Sequence, residues 1–503
     1  MGNTFQYGID KLTIENALQL ARGQIKGIIV DDVKKKIIRC YKAVQSIVKG
    51  DQLVYSINTG FGSLCTTRIS IKETEKLQEN LLKSHSVGVG SPIDMETSKL
   101  MLILKVHALC KGYSGVSEDL VERIRWHIDN NYIPLVPKQG SVGASGDLAP
   151  LAHLFLPLIG LGHLTNDGKH YEPSEKILKE HNLDSIKLHA KEGLALINGT
   201  QFIAAIAIKV ADKLFNCLEH ADLIGALSLE SYFGSPQPFN EKLVKLRPYI
   251  GALEVAEKIR RLLKDSQFIE SHKECGRVQD PYSFRCIVQV HGASRDAFYH
   301  FRENLECELN SVTDNPIIIN ESETYSGGNF HGQPLALPLD YVSLAASEIG
   351  NISDRRIFLL LEGKWGLPSY LIKEVGLNSG FMMIQYTSAA LVSENKTSCF
   401  PASADSIPTG GGQEDHVSMG SISARKALKI INNLEKILAI ELICAAQAFD
   451  FRRPLKSSKI IEECHQFFRK KIPHITEDTI LSEYINSAIE IIKSKDLLKI
   501  AQK

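Results

Sequence analysis

The fold is decided by residues 202–229, which read FIAAIAIKVADKLFNCLEHADLIGALSL. Alanine, isoleucine and leucine cover more than one face of a helix here, so a helix over residues 201 to about 233 must be buried among other helices. At about 1.5 Å per residue, this helix would be roughly 50 Å long. Five charged residues exclude a membrane span: Lys209, Asp212, Lys213, Glu219 and Asp222. We therefore predict a central helical bundle.

The rest of the chain is also rich in helical patterns. Three further segments have the apolar spacing of long helices: residues 287–312, 339–361 and 416–449. Strand signals are limited to two short hairpins, in residues 162–171 and 316–325. The predicted fold class is mainly α, with long antiparallel helices in a central bundle and loop-rich ends. We expect an N-terminal domain over 1–198, the bundle over 199–453 and a C-terminal helical region over 454–503.

Composition argues against several classes of function. Lysine plus arginine and aspartate plus glutamate both number 58 in 503 residues, so no net charge recruits nucleic acid or an anionic membrane. The ten cysteines form no CxxC pair, and only His272 and Cys275 have ligand-like spacing, so we assign no required metal. The first residues have no basic stretch followed by an apolar core. We expect a cytoplasmic protein with reduced thiols that takes a small-molecule ligand.

The most informative local feature is the loop over residues 140–146, Gly-Ser-Val-Gly-Ala-Ser-Gly. Attack of the Gly146 nitrogen on the Ala144 carbonyl carbon would close a five-membered ring. Loss of water from the ring and of the Ser145 hydroxyl then leaves an exocyclic methylidene, which is an electrophile. A residue without Cβ allows this close approach, and Asp147 begins a helix that is apolar through residue 159.

Two other interpretations of this loop remain: a flexible Gly-Ser loop, or a glycine-rich phosphate cradle at a helix start. The phosphate cradle is disfavoured because no Gly-Lys-Ser/Thr is present. The two prolines in residues 132–137 also argue against a central strand before the loop.

Residues 140–153 resemble the signature of the aromatic amino acid ammonia-lyases, whose prosthetic group forms from Ala-Ser-Gly. Six more blocks resemble this family, in family order and across nearly the whole chain: residues 55–62, 84–85, 196–200, 279–286, 327–331 and 413–420. The resemblance implies a 4-methylidene-imidazol-5-one group formed autocatalytically from Ala144, Ser145 and Gly146. It also implies a homotetramer with active sites assembled from several subunits, which strongly apolar helices would suit.

The same resemblance implies roles for residues in these blocks. Tyr55 matches the base that takes the Cβ proton of the substrate, although a phenol needs a lowered pKa to act so at neutral pH. Arg285 has the planar fork that binds a carboxylate. Asn198 orients the prosthetic group, Gln279 and Tyr282 line the site, and Phe330 forms a pocket wall. Outside such blocks, these residue types are more often structural or core residues.

Two positions bear on the choice of substrate. Family members that act on histidine commonly have Ser-His at Ser84 and His85, although some bacterial tyrosine lyases have it too. Glu414 separates the two, because the histidine lyases have a carboxylate there where relatives for carbocyclic rings generally have an amide or another residue. Both side chains offer hydrogen-bonding partners to an imidazole that a phenyl ring could not use. The resemblance therefore implies L-histidine as substrate, with trans-urocanate and ammonium as products.

Some features depart from the family pattern, and other functions stay open. Ser56 stands where glycine is common, Val288 where proline often occurs, and Gly410, Gly411 and Gly412 replace more constrained residues before Glu414. The three glycines would let the Glu414 loop sample more conformations. The alternatives are a tyrosine or phenylalanine ammonia-lyase, a 2,3-aminomutase, and more remotely a non-enzymatic helical scaffold.

Overall fold

A computed structural model of the chain describes residues 4–50, 54, 57, 59 and 71–502. Its α-helices are α1 Ile14–Ala21, α2 Asp31–Lys49, α3 Ile71–His85, α4 Met95–Leu109, α5 Glu118–Asn130, α6 Leu148–Phe155, α7 Ser174–Glu180, α8 Glu192–Ile197, α9 Gln201–Ser231, α10 Glu241–Val244, α11 Ile250–Leu262, α12 Gln267–Ser271, α13 Tyr282–Arg285, α14 Ile287–Leu309, α15 Gln333–Leu361, α16 Met382–Ser398, α17 Gly420–Asp450, α18 Lys459–Arg469, α19 Leu481–Ser494 and α20 Asp496–Ala501. The strands are β1 Thr4–Gln6, β2 Lys26–Ile28, β3 Val89–Pro92, β4 Ile133–Pro134, β5 Pro137–Gln139, β6 His163–Thr165, β7 Glu172–Pro173, β8 Ile317–Ile318 and β9 Thr324–Tyr325. The fold is mainly α, as predicted.

The long helices follow the apolar pattern of the sequence. The helix predicted over residues 201 to about 233 is confirmed by α9, and the other three long segments are confirmed by α14, α15 and α17. Three boundaries differ from the prediction, of which the first is the end of α14, at Leu309 rather than at residue 312. The helix α15 begins before Pro338 and continues through it, whereas α17 begins only at Gly420 because the residues before it form a loop. In the described part of the chain, no helix is long and apolar enough to cross a membrane.

The chain divides into two compact units. The first comprises Met1–Lys209, Arg302–Leu339 and Pro401–Arg425, and the second comprises Val210–Phe301, Asp340–Phe400 and Lys426–Lys503. The described strands of the first unit pair in short sheets: β1 with β2, β3 with β5, β4 with β6 and β7, and β8 with β9. Both predicted hairpins are present, as β6 with β7 and β8 with β9.

The two prolines near the loop have the effect that the sequence predicts. Pro134 lies in β4, which is an edge strand of its sheet, and Pro137 begins β5. Proline has no backbone N–H to donate to a neighbouring strand, so it is tolerated at an edge and at the start of a strand. The pairing of β5 with β3 is antiparallel, with Val89 opposite Gln139. This pairing fixes the chain just before Gly140.

A buried ion pair lies in the core of the second unit. The guanidinium of Arg356 on α15 donates from Nε to Glu441 Oε1 at 2.5 Å and from Nη2 to Glu441 Oε2 at 2.9 Å. Both side chains are fully buried. Ser228 on α9 and Ser353 on α15 also donate to the Glu441 carboxylate, at 2.7 and 2.6 Å. Glu441, on α17, therefore connects α17 with α9 and α15. Arg356 neutralises the charge of its carboxylate, and both carboxylate oxygens accept hydrogen bonds.

Candidate active site

The loop of residues 140–146 has a left-handed backbone at its most important positions. Ser145 has φ of 49°, which is uncommon for a residue with a Cβ, and Gly146 has φ of 83°. A Cβ on residue 146 would lie 2.2 Å from the carbonyl oxygen of Gly199. Glycine is therefore required at 146 by both the backbone conformation and the available space.

The carbonyl oxygen of Ser145 accepts two hydrogen bonds from the segment that precedes α9. The side-chain Nδ2 of Asn198 donates to it at 2.9 Å, and the backbone N–H of Gly199 donates at 3.4 Å. The Oδ1 atom of Asn198 is buried and has no hydrogen-bond partner among the described residues. Asn198 and Ser145, which the sequence analysis assigns to one site, thus lie in contact.

Asp147 attaches the loop to the start of α9. Its N–H donates to the Gly199 carbonyl at 2.7 Å, and its Oδ2 accepts from the N–H groups of Phe202 and Ile203, both at 3.0 Å. Asp147 precedes α6, as expected, but its carboxylate makes no capping bond to that helix. It accepts hydrogen bonds from the backbone N–H groups in the first turn of α9 instead. Burial raises the pKa of Asp147 to about 7, against the lowering effect of these N–H donors.

Glu414 faces the reactive serine. Its Oε1 lies 3.4 Å from the hydroxyl of Ser145, and its Oε2 accepts from the hydroxyl of Thr409 at 2.9 Å. The N–H of Thr409 also donates to the Glu414 carbonyl at 2.9 Å, which closes a turn. Nothing in the sequence pattern singled out Thr409 as the partner of this carboxylate.

The three glycines before Glu414 form that turn. Gly410, Gly411 and Gly412 all have left-handed backbones, with φ of 58°, 66° and 88°. A Cβ on residue 410 would lie 2.7 Å from Oε2 of Glu414. The sequence suggests that these glycines loosen the loop. In the structure they also permit a tight turn with the carboxylate packed against it.

His85 ends α3 and is half-buried. Burial lowers its pKa, while a hydrogen bond to the backbone of Leu81 and the nearby negative charge of Glu414 act in the opposite direction. The segment after it is fixed because the N–H of Gly88 donates to Nε2 of His153, on α6, at 3.0 Å. His85 and Glu414, predicted together as the imidazole-binding pair, therefore interact electrostatically.

Residues at the start of α17 hold the loop of residues 140–146 through hydrogen bonds. The N–H of Met419 donates to the carbonyl of Val142 at 2.9 Å, and the Ser421 hydroxyl donates to the carbonyl of Ser141 at 2.7 Å. A Cβ on residue 143 would lie 2.2 Å from the hydroxyl oxygen of Ser418, so this contact also requires glycine. The sequence block of residues 413–420 was the only signal that this segment belongs to the site.

Phe330 is half-buried in the turn that precedes α15. The ring of its neighbour His331 stacks on that of His416, with ring centroids 5.5 Å apart. The N–H of Gln333 donates to Nδ1 of His331 at 3.3 Å, so this histidine also caps the first turn of α15. The block of residues 327–331 is thereby connected to the loop that contains Glu414.

Three predicted substrate-binding residues lie in the second unit and line one pocket. Gln279, Tyr282 and Arg285 line this pocket of about 690 Å³, together with Tyr232, Arg277, Asp280, Pro281, Lys364 and Trp365. The guanidinium carbon of Arg285 lies 4.4 Å from the centre of the Tyr282 ring, which favours a cation–π contact. Tyr282 is 70% exposed.

Arg285 retains hydrogen-bonding capacity. Its Nε is buried and lacks a hydrogen-bond partner within the described ranges. The pocket wall beside it is held by Arg277, whose Nε lies 3.1 Å from Oδ1 of Asp280, and Asp280 accepts from the N–H of Ser235 at 2.5 Å. The remaining predicted residue, Tyr55, lies outside the described residues.

No cluster of three histidine, cysteine, aspartate or glutamate side chains suited to a metal ion is found in the part of the chain that the structure describes. The first unit offers hydrogen-bond donors around one main-chain carbonyl and a carboxylate beside a serine hydroxyl, and the second unit offers a pocket lined by cationic side chains. This set of groups is suited to chemistry on a zwitterionic amino acid.

The helical fold and this set of residues define a carbon–nitrogen lyase of the ammonia-lyase class. Residues 12–470 match the family model of the aromatic amino acid lyases, and the chain belongs to that family.

Individual relatives agree with this assignment. A histidine ammonia-lyase from Natranaerobius thermophilus is 46% identical over 462 residues, which is 91% of each chain. The crystal structure of histidine ammonia-lyase from Trypanosoma cruzi is 38% identical, has a TM-score of 0.91 and is matched over 99% of this chain and 95% of that one. Tyrosine aminomutase from Streptomyces globisporus is 31% identical, with a TM-score of 0.93 and coverage of 99% and 98%.

Proposed function

We propose that this protein eliminates ammonia from L-histidine without oxidation and releases trans-urocanate. The observation that carries the proposal is the position of Glu414, whose carboxylate lies 3.4 Å from the Ser145 hydroxyl and interacts electrostatically with His85. Relatives that share over two fifths of their residues with the chain, such as the one from Natranaerobius thermophilus, are histidine ammonia-lyases. The position of Glu414 and these relatives together favour an imidazole substrate.

The choice of histidine follows from hydrogen-bonding capacity. An imidazole has one N–H to donate and one ring nitrogen to accept with, and Glu414 and His85 can serve as partners for both. A phenyl ring could not hydrogen-bond to the carboxylate of Glu414, which is half-buried and already accepts from the hydroxyl of Thr409. A site that offers polar groups loses binding energy with a substrate that cannot use them. A phenyl substrate is therefore disfavoured by the loss of these bonds rather than by size.

The residues present fit the prosthetic group that the family resemblance implies. Ser145 and Gly146 already have left-handed backbones, the Ser145 carbonyl has two donors, and the Gly146 site excludes any side chain. The side-chain Nδ2 of Asn198 donates to the Ser145 carbonyl at 2.9 Å, which supports a role for Asn198 in orienting the group. Ala144, Ser145 and Gly146 would form the 4-methylidene-imidazol-5-one, which supplies an electrophile to the reaction.

Formation of this group needs no oxidant. The Gly146 nitrogen forms a bond to the Ala144 carbonyl carbon, and its proton moves to the carbonyl oxygen. The resulting hydroxyl leaves with the Ser145 N–H proton as one water, and a double bond forms between the Ala144 carbon and the Ser145 nitrogen. The Cα proton and the hydroxyl of Ser145 leave as the second water, with a double bond formed between Cα and Cβ. Atoms and electrons balance, and the chain becomes lighter by two waters.

The α-carboxylate and the Cβ proton of the substrate each need a partner on the protein. Arg285 is proposed to bind the α-carboxylate, because its spare N–H groups can make charge-assisted hydrogen bonds. Gln279 and Tyr282 would line the same pocket as Arg285. The family resemblance assigns Phe330 to a pocket wall that excludes water, and Tyr55 to removal of the Cβ proton. Removal of that proton by a positioned base is worth about 10²–10⁴-fold in rate.

We also propose a homotetramer whose active sites are assembled from several subunits. The predicted residues are divided between the two compact units, and Tyr282 is largely exposed in the single chain. Large apolar side chains on the long helices are exposed as well, including Leu337, Tyr341, Leu344 and Phe358. Sedimentation of the purified protein tests the assembly.

The second candidate is a lyase or 2,3-aminomutase for another aromatic amino acid. It is favoured by the similarity to tyrosine aminomutase, which has the same helical fold. Incubation of the purified protein with histidine, phenylalanine and tyrosine separates the two, with conjugated acrylates followed by absorbance. The proposal expects urocanate from histidine as the dominant product. A faster reaction with tyrosine, or formation of a β-amino acid, would replace it with the second candidate.

A further inference from the structure

A fully buried lysine lies behind the reactive loop. Lys105, on α4, is 1% exposed, and its amine donates to the carbonyl oxygens of Ala195 at 3.0 Å and Asn198 at 2.9 Å. Both of these acceptors are neutral main-chain groups at the end of α8. Burial lowers the pKa of Lys105 to about 7, and the nearby Asp314 carboxylate opposes that effect. Among the described residues, main-chain carbonyls are the hydrogen-bond partners of this amine, and a buried amine without a carboxylate partner is costly unless it has a function.

The carbonyl that Lys105 contacts belongs to the peptide that faces Ser145. The peptide between residues 198 and 199 has the Asn198 carbonyl at one end and the Gly199 N–H at the other. Lys105 donates to the first, and the second donates to the Ser145 carbonyl oxygen at 3.4 Å. Hydrogen bonds connected through one peptide polarise one another, so a donor on the carbonyl makes the N–H a better donor.

Lys105 also fixes the Asn198 side chain indirectly. The backbone of Asn198 is held by the lysine, and its side-chain Nδ2 reaches the same Ser145 oxygen at 2.9 Å. The two donors at Ser145 therefore come from one short segment whose position depends on Lys105. This lysine does not touch the reacting atoms itself.

Negative charge must appear on the Ser145 oxygen during cyclisation. The Gly146 nitrogen becomes a nucleophile as it loses its proton, and amide resonance puts much of that charge on the carbonyl oxygen of Ser145. Loss of the Ser145 Cα proton, in the second dehydration, puts charge on the same oxygen. Donors aimed at an oxygen where charge develops lower both barriers.

We propose that Lys105 is a positioning residue for maturation, which polarises and holds the 198–199 peptide so that Ala144, Ser145 and Gly146 condense. This inference rests on the proposed function, because it requires that the tripeptide cyclises. It assigns a role in the formation of the electrophile to a buried residue that lies outside every family-like block.

The chain contains a matched control for this lysine. Lys191 is also fully buried in the first unit, but its amine binds the Asp314 carboxylate at 2.7 Å and the Ser114 carbonyl at 2.9 Å. Replacement of Lys191 removes a buried amine of the same size that does not contact the peptide facing Ser145, although Lys191 and its partner Asp314 both act electrostatically on Lys105. Lys191→Met is expected to lower stability, and its folded fraction is expected to mature at the wild-type rate.

The experiment follows maturation of the full-length protein by intact mass. Wild type, Lys105→Met, Lys105→Arg and Lys191→Met are purified rapidly, the folded fraction is separated by size exclusion, and loss of the two waters is timed together with near-ultraviolet absorbance. Lys105→Met is expected to mature at least about tenfold more slowly, because removal of a direct donor to a developing oxyanion costs about 10²–10³-fold. Lys105→Arg, which keeps the donor and the charge, is expected to restore most of the rate.

Each outcome decides one question. Equal maturation rates in folded Lys105→Met and wild type overturn the role of Lys105, as does equal slowing in Lys191→Met. If Lys105→Met does not fold, Lys105→Gln is used in its place. The glutamine amide can still donate to one carbonyl, so we expect a maturation rate between those of wild type and a variant without a donor. A wild-type protein that never loses the two waters overturns the proposed function itself, whatever the variants do.

Discussion

The side-chain amide of Asn198 donates to the carbonyl oxygen of Ser145 at 2.9 Å, although the two residues are 53 positions apart in the chain. The other end of this amide, Oδ1, is buried without a hydrogen-bond partner among the residues described. A buried acceptor left unpaired costs about 1–3 kcal/mol, so the orientation of Asn198 is maintained at the expense of stability. Such an arrangement is typical of a functional group set in advance for charge that develops later.

Ser145→Ala is expected to remove nearly all turnover of histidine and to leave the fold intact. Without the hydroxyl, the second water cannot leave and no methylidene can form. Intact mass and near-ultraviolet absorbance measure maturation, and circular dichroism with thermal unfolding measures the fold. Substantial remaining turnover in a folded variant would remove the electrophile from the account.

Gly146→Ala is expected to block maturation, because the new Cβ would lie 2.2 Å from the carbonyl oxygen of Gly199 and the residue would need φ of 83°. The 146–199 contact must open, which displaces the Ser145 carbonyl from its donors. Gly276→Ala is the control, since a Cβ there meets nothing within 4 Å. If Gly146→Ala loses its two waters as fast as Gly276→Ala, steric selection at this position has no part in cyclisation.

Glu414→Gln is expected to reduce kcat/KM for histidine much more than any activity toward phenylalanine. The amide keeps the size of the side chain but loses the negative charge that faces His85 and an imidazole substrate. Asp415→Asn removes the same charge from an exposed neighbour and should leave the ratio of the two activities unchanged. Equal losses toward both amino acids in Glu414→Gln contradict the imidazole role.

Arg356→Met is expected to lower the free energy of unfolding by about 3–5 kcal/mol, because it leaves the buried Glu441 carboxylate without its cation. Urea titration with the slope held common to both proteins measures the change. Lys245→Met breaks the exposed pair with Glu241 and should change the free energy of unfolding far less than Arg356→Met does, because water and salt screen an exposed pair. Similar costs for the two variants would show that the buried pair contributes no more than a surface pair.

His127 should make the first unit less stable in mild acid. Its Nδ1–H donates to the Tyr132 carbonyl at 3.0 Å, its Nε2 is buried and unpaired as far as the described ranges show, and burial lowers its pKa to about 4. Below the unfolded pKa of about 6.5, the unfolded state binds the proton more readily than the folded state, so stability falls as pH drops from 6.5 toward 4.

The measurement compares wild type with His127→Phe by urea titration at several pH values between 7.5 and 4.5. The stability of wild type relative to this variant is expected to decrease as pH falls. His170→Phe supplies a control of opposite sign, because the hydrogen bond to Asp167 raises the pKa of His170 and its stabilisation is lost as pH rises. A pH-independent difference for His127→Phe would contradict the assignment.

Sequence patterns predicted the parts of this protein that depend on local periodicity. The long helix α9, the helices α14, α15 and α17, and both hairpins follow apolar spacing and turn residues, which are visible along the chain. Family-like blocks also contain Asn198 and Glu414, which contact Ser145, and His85, which interacts electrostatically with Glu414.

The features that the sequence did not reveal are contacts set by tertiary placement. Asp147 precedes α6, as its position suggests, yet its carboxylate binds the first N–H groups of α9. Thr409 and Lys105 have no recognisable motif, and their roles depend on a turn and on a packed helix that bring them to distant partners. Periodicity specifies which face of an element is buried, but it does not specify which polar atoms meet there.

The intact mass of the wild-type protein tests whether the electrophile has formed. It is measured on the same sample that is assayed with histidine. We predict a mass lower than that of the encoded chain by two waters, together with release of urocanate. An unmodified mass in a preparation that converts histidine to urocanate would contradict the account, because the elimination would then proceed without the electrophile that Ala144, Ser145 and Gly146 are proposed to form.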